Sequence, residues 1–199
     1  MPLTPALSVN EFFHEAVTSA LRSQAVTTSE LTEFYLVNLL SDFTHAEIDP
    51  QPLGPKLTQA LNEPPPERAR GLREVGDTAL YVSGFFGESL ERGLVALDYY
   101  ISMGGSAYAT LAGLVRMSRA GETSRRHGPG SDRAMSGVYG ELADKFPRLV
   151  DVLAEVSEKS ALGTNRGVLR LYERWAKTQS EWLARKLRAS GIIPPGGKQ

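Results

Sequence analysis

A chain of 199 residues with 41% hydrophobic and 23% charged side chains has the make-up of one ordinary globular domain, long enough to bury a core without metals or disulfides. It contains no cysteine, which excludes disulfides, thiolate metal sites and a cysteine nucleophile. A net charge of −1 excludes the electrostatic match that nucleic acid or an anionic membrane would ask of the whole protein.

Leucine outnumbers isoleucine 25 to 4, and Leu, Ala, Arg and Glu favour helix where β-branched residues would favour strand. The N-terminal stretch lacks a basic segment followed by an apolar run, and no window approaches the roughly 18 uninterrupted apolar residues of a membrane span. The sequence therefore points to a cytoplasmic protein without a membrane span.

In chain order, Ser8 and Glu11 are spaced as a capping box, and Val9, Phe12, Phe13, Ala16, Val17, Ala20 and Leu21 give one apolar stripe through about residue 23. Thr27 and Glu30 repeat the capping signal ahead of a helix expected from Thr28 to Phe43, so residues 8–43 read as a helical hairpin. Residues 45–66 hold Pro50, Pro52, Pro55 and Pro64-Pro65-Pro66, and read as a connector with one helical turn near 55–62. A helix is expected to start on the last proline at Glu67 and to end near Gly84 and Gly87.

Residues 91–119 are apolar nearly all round, the pattern of a buried central helix, so residues 67–119 make up the middle of the fold. The polar, glycine-rich and basic stretch 120–133 reads as a mobile loop. Helices resume near Ser131 or Ala134, and residues 134–189 carry the C-terminal helices, one starting at Phe146-Pro147 and a last one spanning about 164–189. The fold class that follows is all-α, a single-domain bundle of about six to eight helices.

Candidate chemistry concentrates in the two central helices. Glu74, Asp77 and Tyr81 are spaced to share one helix face, and a carboxylate buried there needs an arginine partner, with Arg73, Arg92 and Arg116 as candidates. Asp98 and Tyr108 extend the polar set, so Asp77, Tyr81, Asp98 and Tyr108 are the candidate ligand-binding residues. The competing reading is a hydrogen-bonded core network. Gly104 and Gly105 in mid-helix point either to close helix packing, with Gly76 as a counterpart, or to a kink beside a pocket.

No catalytic residue, cofactor site or metal site is signalled: the three histidines are scattered, and no phosphate loop or nucleophile elbow is present. Arg116, Arg119, Arg125, Arg126 and Arg133 make the loop basic without interleaved aromatics, which argues against nucleic acid. Nor is a short turn followed by a basic recognition helix visible, which weighs against a helix-turn-helix regulator. Phe85, Phe86, Trp175 and Trp182 are the candidate interaction surface.

The charge is uneven: residues 1–63 hold 2 basic and 8 acidic side chains, net −6, and residues 166–188 hold 7 basic and 2 acidic, net +5. The leading expectation is a non-enzymatic interaction protein that pairs with itself as a homodimer and with a second protein, through the N-terminal hairpin or the C-terminal helix. The alternative is a small-molecule binder or enzyme with a Tyr/Asp pocket between the central helices.

Overall fold

A computed structural model describes residues 9–44, 52–90, 97–121 and 131–163. Seven helices and no strand occur among the described residues, an all-α multi-helix bundle. They are α1 (Val9–Ser23), α2 (Glu30–Phe43), α3 (Leu53–Asn62), α4 (Pro65–Leu90), α5 (Leu97–Gly121), α6 (Ser131–Asp144) and α7 (Phe146–Gly163). The chain divides into two compact units, residues 1–154 and 155–199. Of the second, the structure describes the last turns of α7, where Lys159 Nζ meets Glu155 at 2.7 Å.

α1 forms because Phe13, Ala16, Val17, Ala20 and Leu21 recur at three- and four-residue spacing and bury one stripe. It stops at Ala25, whose φ of 52° lies in the left-handed region. Val26 N donates to Leu21 O at 2.9 Å and Ala25 N to Arg22 O at 3.2 Å, the paired bonds of a Schellman motif. The hairpin with α2 is tied by the Thr18 hydroxyl on Glu33 and the Ser41 hydroxyl on Asn10.

Four boundaries differ from those the sequence suggests, each for a local reason. The cap of α2 is Ser29, whose Oγ accepts from Thr32 N at 3.2 Å; Thr27 instead gives its carbonyl to Lys145 Nζ at 2.5 Å. The proline-rich connector contains a ten-residue helix, α3, because Pro55 falls in its first turn, where a missing N–H costs nothing. α4 opens two residues early, with Pro64 O accepting from Arg68 N at 2.8 Å, and runs unbroken through Gly84 and Gly87 to Leu90.

Gly84 is a packing residue rather than a stop: a Cβ there would lie 2.5 Å from that of Leu153. The fourth difference is the end of α5, which continues to Gly121; α6 begins at Ser131, one of the two starts the sequence offers. The middle of the expected loop, 122–130, and the expected helix at 164–189, with Trp175 and Trp182, lie outside the described residues.

α5 is the central helix and packs against α3, α4 and α6. Its buried side is Gly104, Ala107, Tyr108, Leu111 and Ala112, while Ser102, Ser106, Ala109 and Thr110 stay exposed. The small residues serve close approach. A Cβ on Gly104 would collide with the Phe146 ring and sit 2.7 Å from Ala79 Cβ, and one on Gly76 would sit 2.6 Å from the Tyr108 ring.

No helix among the described residues is long and apolar enough to cross a membrane.

Candidate functional site

Four helices deliver five polar groups to a common point, two of them from α4. Asp77 sits on α4 one turn after Arg73, Tyr35 comes from the inner face of α2, Tyr108 from the middle of α5 and Tyr139 from α6. Gly76 makes the arrangement possible, since only a hydrogen at that position lets the Tyr108 ring lie flat against α4.

Asp77 Oδ1 accepts from both phenols, Tyr35 at 2.5 Å and Tyr108 at 2.6 Å. Arg73 Nε donates to Asp77 Oδ2 at 3.3 Å and to the Tyr35 oxygen at 3.2 Å, and its guanidinium lies 5.4 Å from the Tyr35 ring centroid. Tyr139 closes the cluster by stacking on Tyr108, with centroids 6.1 Å apart, and meeting Tyr35 edge-on at 5.8 Å.

The electrostatics follow from this burial. Desolvation pushes the Asp77 carboxyl above its ordinary value, against the hydrogen bonds from Tyr108, Tyr35 and Arg73 that pull it down. The ionised carboxylate is the form that accepts all three donors at once. Burial, and after it the Asp77 charge, drives the Tyr35 and Tyr108 phenols up, and burial raises Tyr139 as well. Burial alone would lower Arg73, but Tyr35 and Asp77 outweigh it and hold the guanidinium charged.

The phenols therefore stay protonated at neutral pH, and those of Tyr35 and Tyr108 are committed as donors to Asp77. No buried side-chain nitrogen or oxygen lacks a partner among the described residues, so the cluster is satisfied from within. That is the condition under which a buried polar network rigidifies a core.

Of the four ligand-binding candidates, the structure brings Asp77 and Tyr108 into direct contact. Tyr81 belongs to a different group, a ring stack with Phe43 at 4.3 Å and Phe85 at 4.8 Å, with Phe86 edge-on at 5.9 Å. Asp98 stands exposed in the first turn of α5, ten residues and about 15 Å of helix rise from Tyr108. Glu74 is exposed as well and pairs with Lys56 at 2.9 Å.

Arg73 was expected among the partners of the buried acid, whereas Tyr35 and Tyr139 were not. Their signal in the sequence is a tyrosine at a core-facing position, whose hydroxyl must find an acceptor. Phe85 and Phe86 are half-buried in the ring stack.

Beside the cluster opens a recess of about 310 Å³ lined by Asp42, Phe43, Arg70, Arg73, Asp77 and Thr78 among others. A larger groove of about 890 Å³ runs between the start of α2, the end of α5 and α6, with Leu31, Val115, Arg116, Arg133 and Val138 in its walls.

A clasp lies in the floor of that groove. Glu141 accepts from Ser29 N at 3.0 Å, Ser29 Oγ at 2.8 Å, Thr32 Oγ1 at 2.6 Å and Lys145 Nζ at 2.6 Å. It thereby places a carboxylate on the N-terminus of α2. Desolvation works to raise the Glu141 carboxyl, but these bonds, Lys145 first, carry it down to about 2.

Among the described residues no group of three or more His, Cys, Asp or Glu is placed to hold a metal ion. No family model, curated protein or solved structure matches the chain.

Proposed function

We propose that this chain is a non-enzymatic helical interaction protein of the cytoplasm that associates with itself, and that the outer face of α2 is the surface it uses. The observation that carries the reading is the exposure of Leu31 and Phe34, 51% and 63%, one helical turn apart on a helix whose opposite side is core. Leu31 also lines the large groove, and α5, whose Val115 and Arg116 line the same groove, carries Met117 at 73% exposure. Large apolar side chains exposed side by side on a helix are the kind of surface that marks an association site.

A second copy fits this surface on charge. The α1–α2 hairpin lies in the net −6 stretch 1–63, and each copy also carries the net +5 stretch 166–188, so head-to-tail or mutual pairing is attractive where like surfaces alone would repel. The chemistry of the core supports the same reading. The donors that Asp77 accepts all come from within the bundle, from Tyr35, Tyr108 and Arg73, as in a structural polar network.

Sedimentation velocity at tens of micromolar, at low and moderate salt, tests the proposal. The expected result is a dimer or larger species that loosens with salt, and that reverts to monomer in a Leu31→Glu/Phe34→Glu variant of unchanged helix content. A monomer at every concentration and salt overturns it.

A further inference from the structure

The recess beside the Tyr–Asp–Arg cluster carries three unspent recognition elements. Arg73 uses only its Nε on Asp77 and Tyr35, and neither of its Nη groups has a partner among the described residues. Asp42, in the last turn of α2, is exposed and makes no ion pair among the described residues. Phe43 is held in place from behind by its stack on Tyr81, so its ring is a fixed apolar wall.

These elements differ in what they bind. The open end of a guanidinium takes a carboxylate in two parallel hydrogen bonds, an exposed Asp takes an ammonium, and a fixed ring takes an apolar or aromatic body. Arg73 is moreover preorganised: Asp77 and Tyr35 hold its Nε edge, so binding need not order the side chain. A volume of about 310 Å³ sits at the small end of ligand pockets and suits a molecule of amino-acid size.

We propose that the recess formed by Arg73, Asp42, Phe43 and Thr78 binds a small zwitterion with an apolar body, the chemistry of an aromatic amino acid. The carboxylate lies on the Nη edge of Arg73, the ammonium faces Asp42, and the ring lies against Phe43. Asp42 and Phe43 stand eight and nine residues beyond Phe34 on α2, about 12 Å of helix rise, so substitutions at Asp42 and at Leu31 and Phe34 probe the recess and the self-association surface separately.

Isothermal titration of the full chain with L-phenylalanine, 3-phenylpropanoate and 2-phenylethylamine tests it, because the second probe lacks the ammonium and the third the carboxylate. L-phenylalanine is expected to bind most tightly and 2-phenylethylamine least. Asp42→Asn, an exposed change, is expected to weaken L-phenylalanine about tenfold while leaving 3-phenylpropanoate unaltered. Arg73→Gln, with its fold checked by circular dichroism, is expected to abolish binding of both carboxylates. Absence of L-phenylalanine binding to the unaltered protein at millimolar concentration overturns the proposal. So does an Asp42→Asn variant that binds the amino acid as tightly as the parent.

Discussion

Asp77 is the residue on which the core's polar chemistry converges, and removing it leaves three donors without their acceptor. Asp77→Ala strands the Tyr35 and Tyr108 hydroxyls and takes from Arg73 its carboxylate, leaving it the Tyr35 oxygen, and should destabilise the fold by about 2 to 4 kcal/mol, read from urea unfolding. Tyr108→Phe removes one donor and leaves Asp77 with two, so its cost should be nearer 1 kcal/mol. If the two variants were equally mild, the cluster would not hold the core together.

Glu141 gives a pH signature of definite sign. Its carboxyl stands near 2 in the fold against an ordinary value of 4.5, so the unfolded chain binds its proton first. The stabilisation is complete above about pH 4.5 and is lost as pH falls from there toward 2. Glu141→Gln should accordingly flatten the acid limb of a stability profile between those limits and lower stability at pH 7. A profile of unchanged slope would mean that the clasp on Ser29 and Thr32 adds nothing.

At the scale of the elements, helix ends and helix contacts can be adjusted separately. Ala25 closes α1 from the left-handed region, where an L side chain costs about 1 kcal/mol that glycine does not. Ala25→Gly should therefore raise stability by about that amount, measured as a higher urea midpoint at constant slope. Gly104→Ala should do the reverse. Its methyl would meet the Phe146 ring and Ala79, so α5 must move away at a cost of about 1 to 3 kcal/mol.

These positions also show what could be read from the chain alone. Apolar periodicity locates α1, α2 and α7 well, because each buries a stripe that repeats with the helix, whereas α5 is marked by residues apolar nearly all round. Gly84 and Pro55 misled because both residue types break helices in isolation. Here Leu153 demands the missing side chain of Gly84, and Pro55 sits where no hydrogen bond is due. The polar cluster was legible in part. Asp77 and Tyr108 stand out as polar groups in apolar windows, but Tyr35 and Tyr139 join them only because α2 and α6 lie beside α4 and α5, and periodicity carries no information on which helices become neighbours. Asp98 carried the same signal as Asp77, yet ten residues of helix set it at the exposed end of α5.

At the scale of the whole molecule, the described residues leave no buried side-chain donor or acceptor without a partner, while large apolar groups stand on the surface. The large apolar side chains exposed among the described residues are Val9, Leu31, Phe34, Leu61 and Met117. Leu31 and Phe34 lie on the most acidic part of the chain, so an assembly they mediate would combine apolar burial with charge pairing to the basic stretch 166–188 of another copy.

Hydrogen exchange followed by mass spectrometry, run across a dilution series of the full chain, tests this most directly, because it reports association and its location together. Amides of α2, residues 30–43, are expected to gain protection as concentration rises, and Phe34→Glu is expected to remove the gain without altering protection in α4 or α5. Exchange in α2 that is independent of concentration, at tens of micromolar and in low salt, would contradict it.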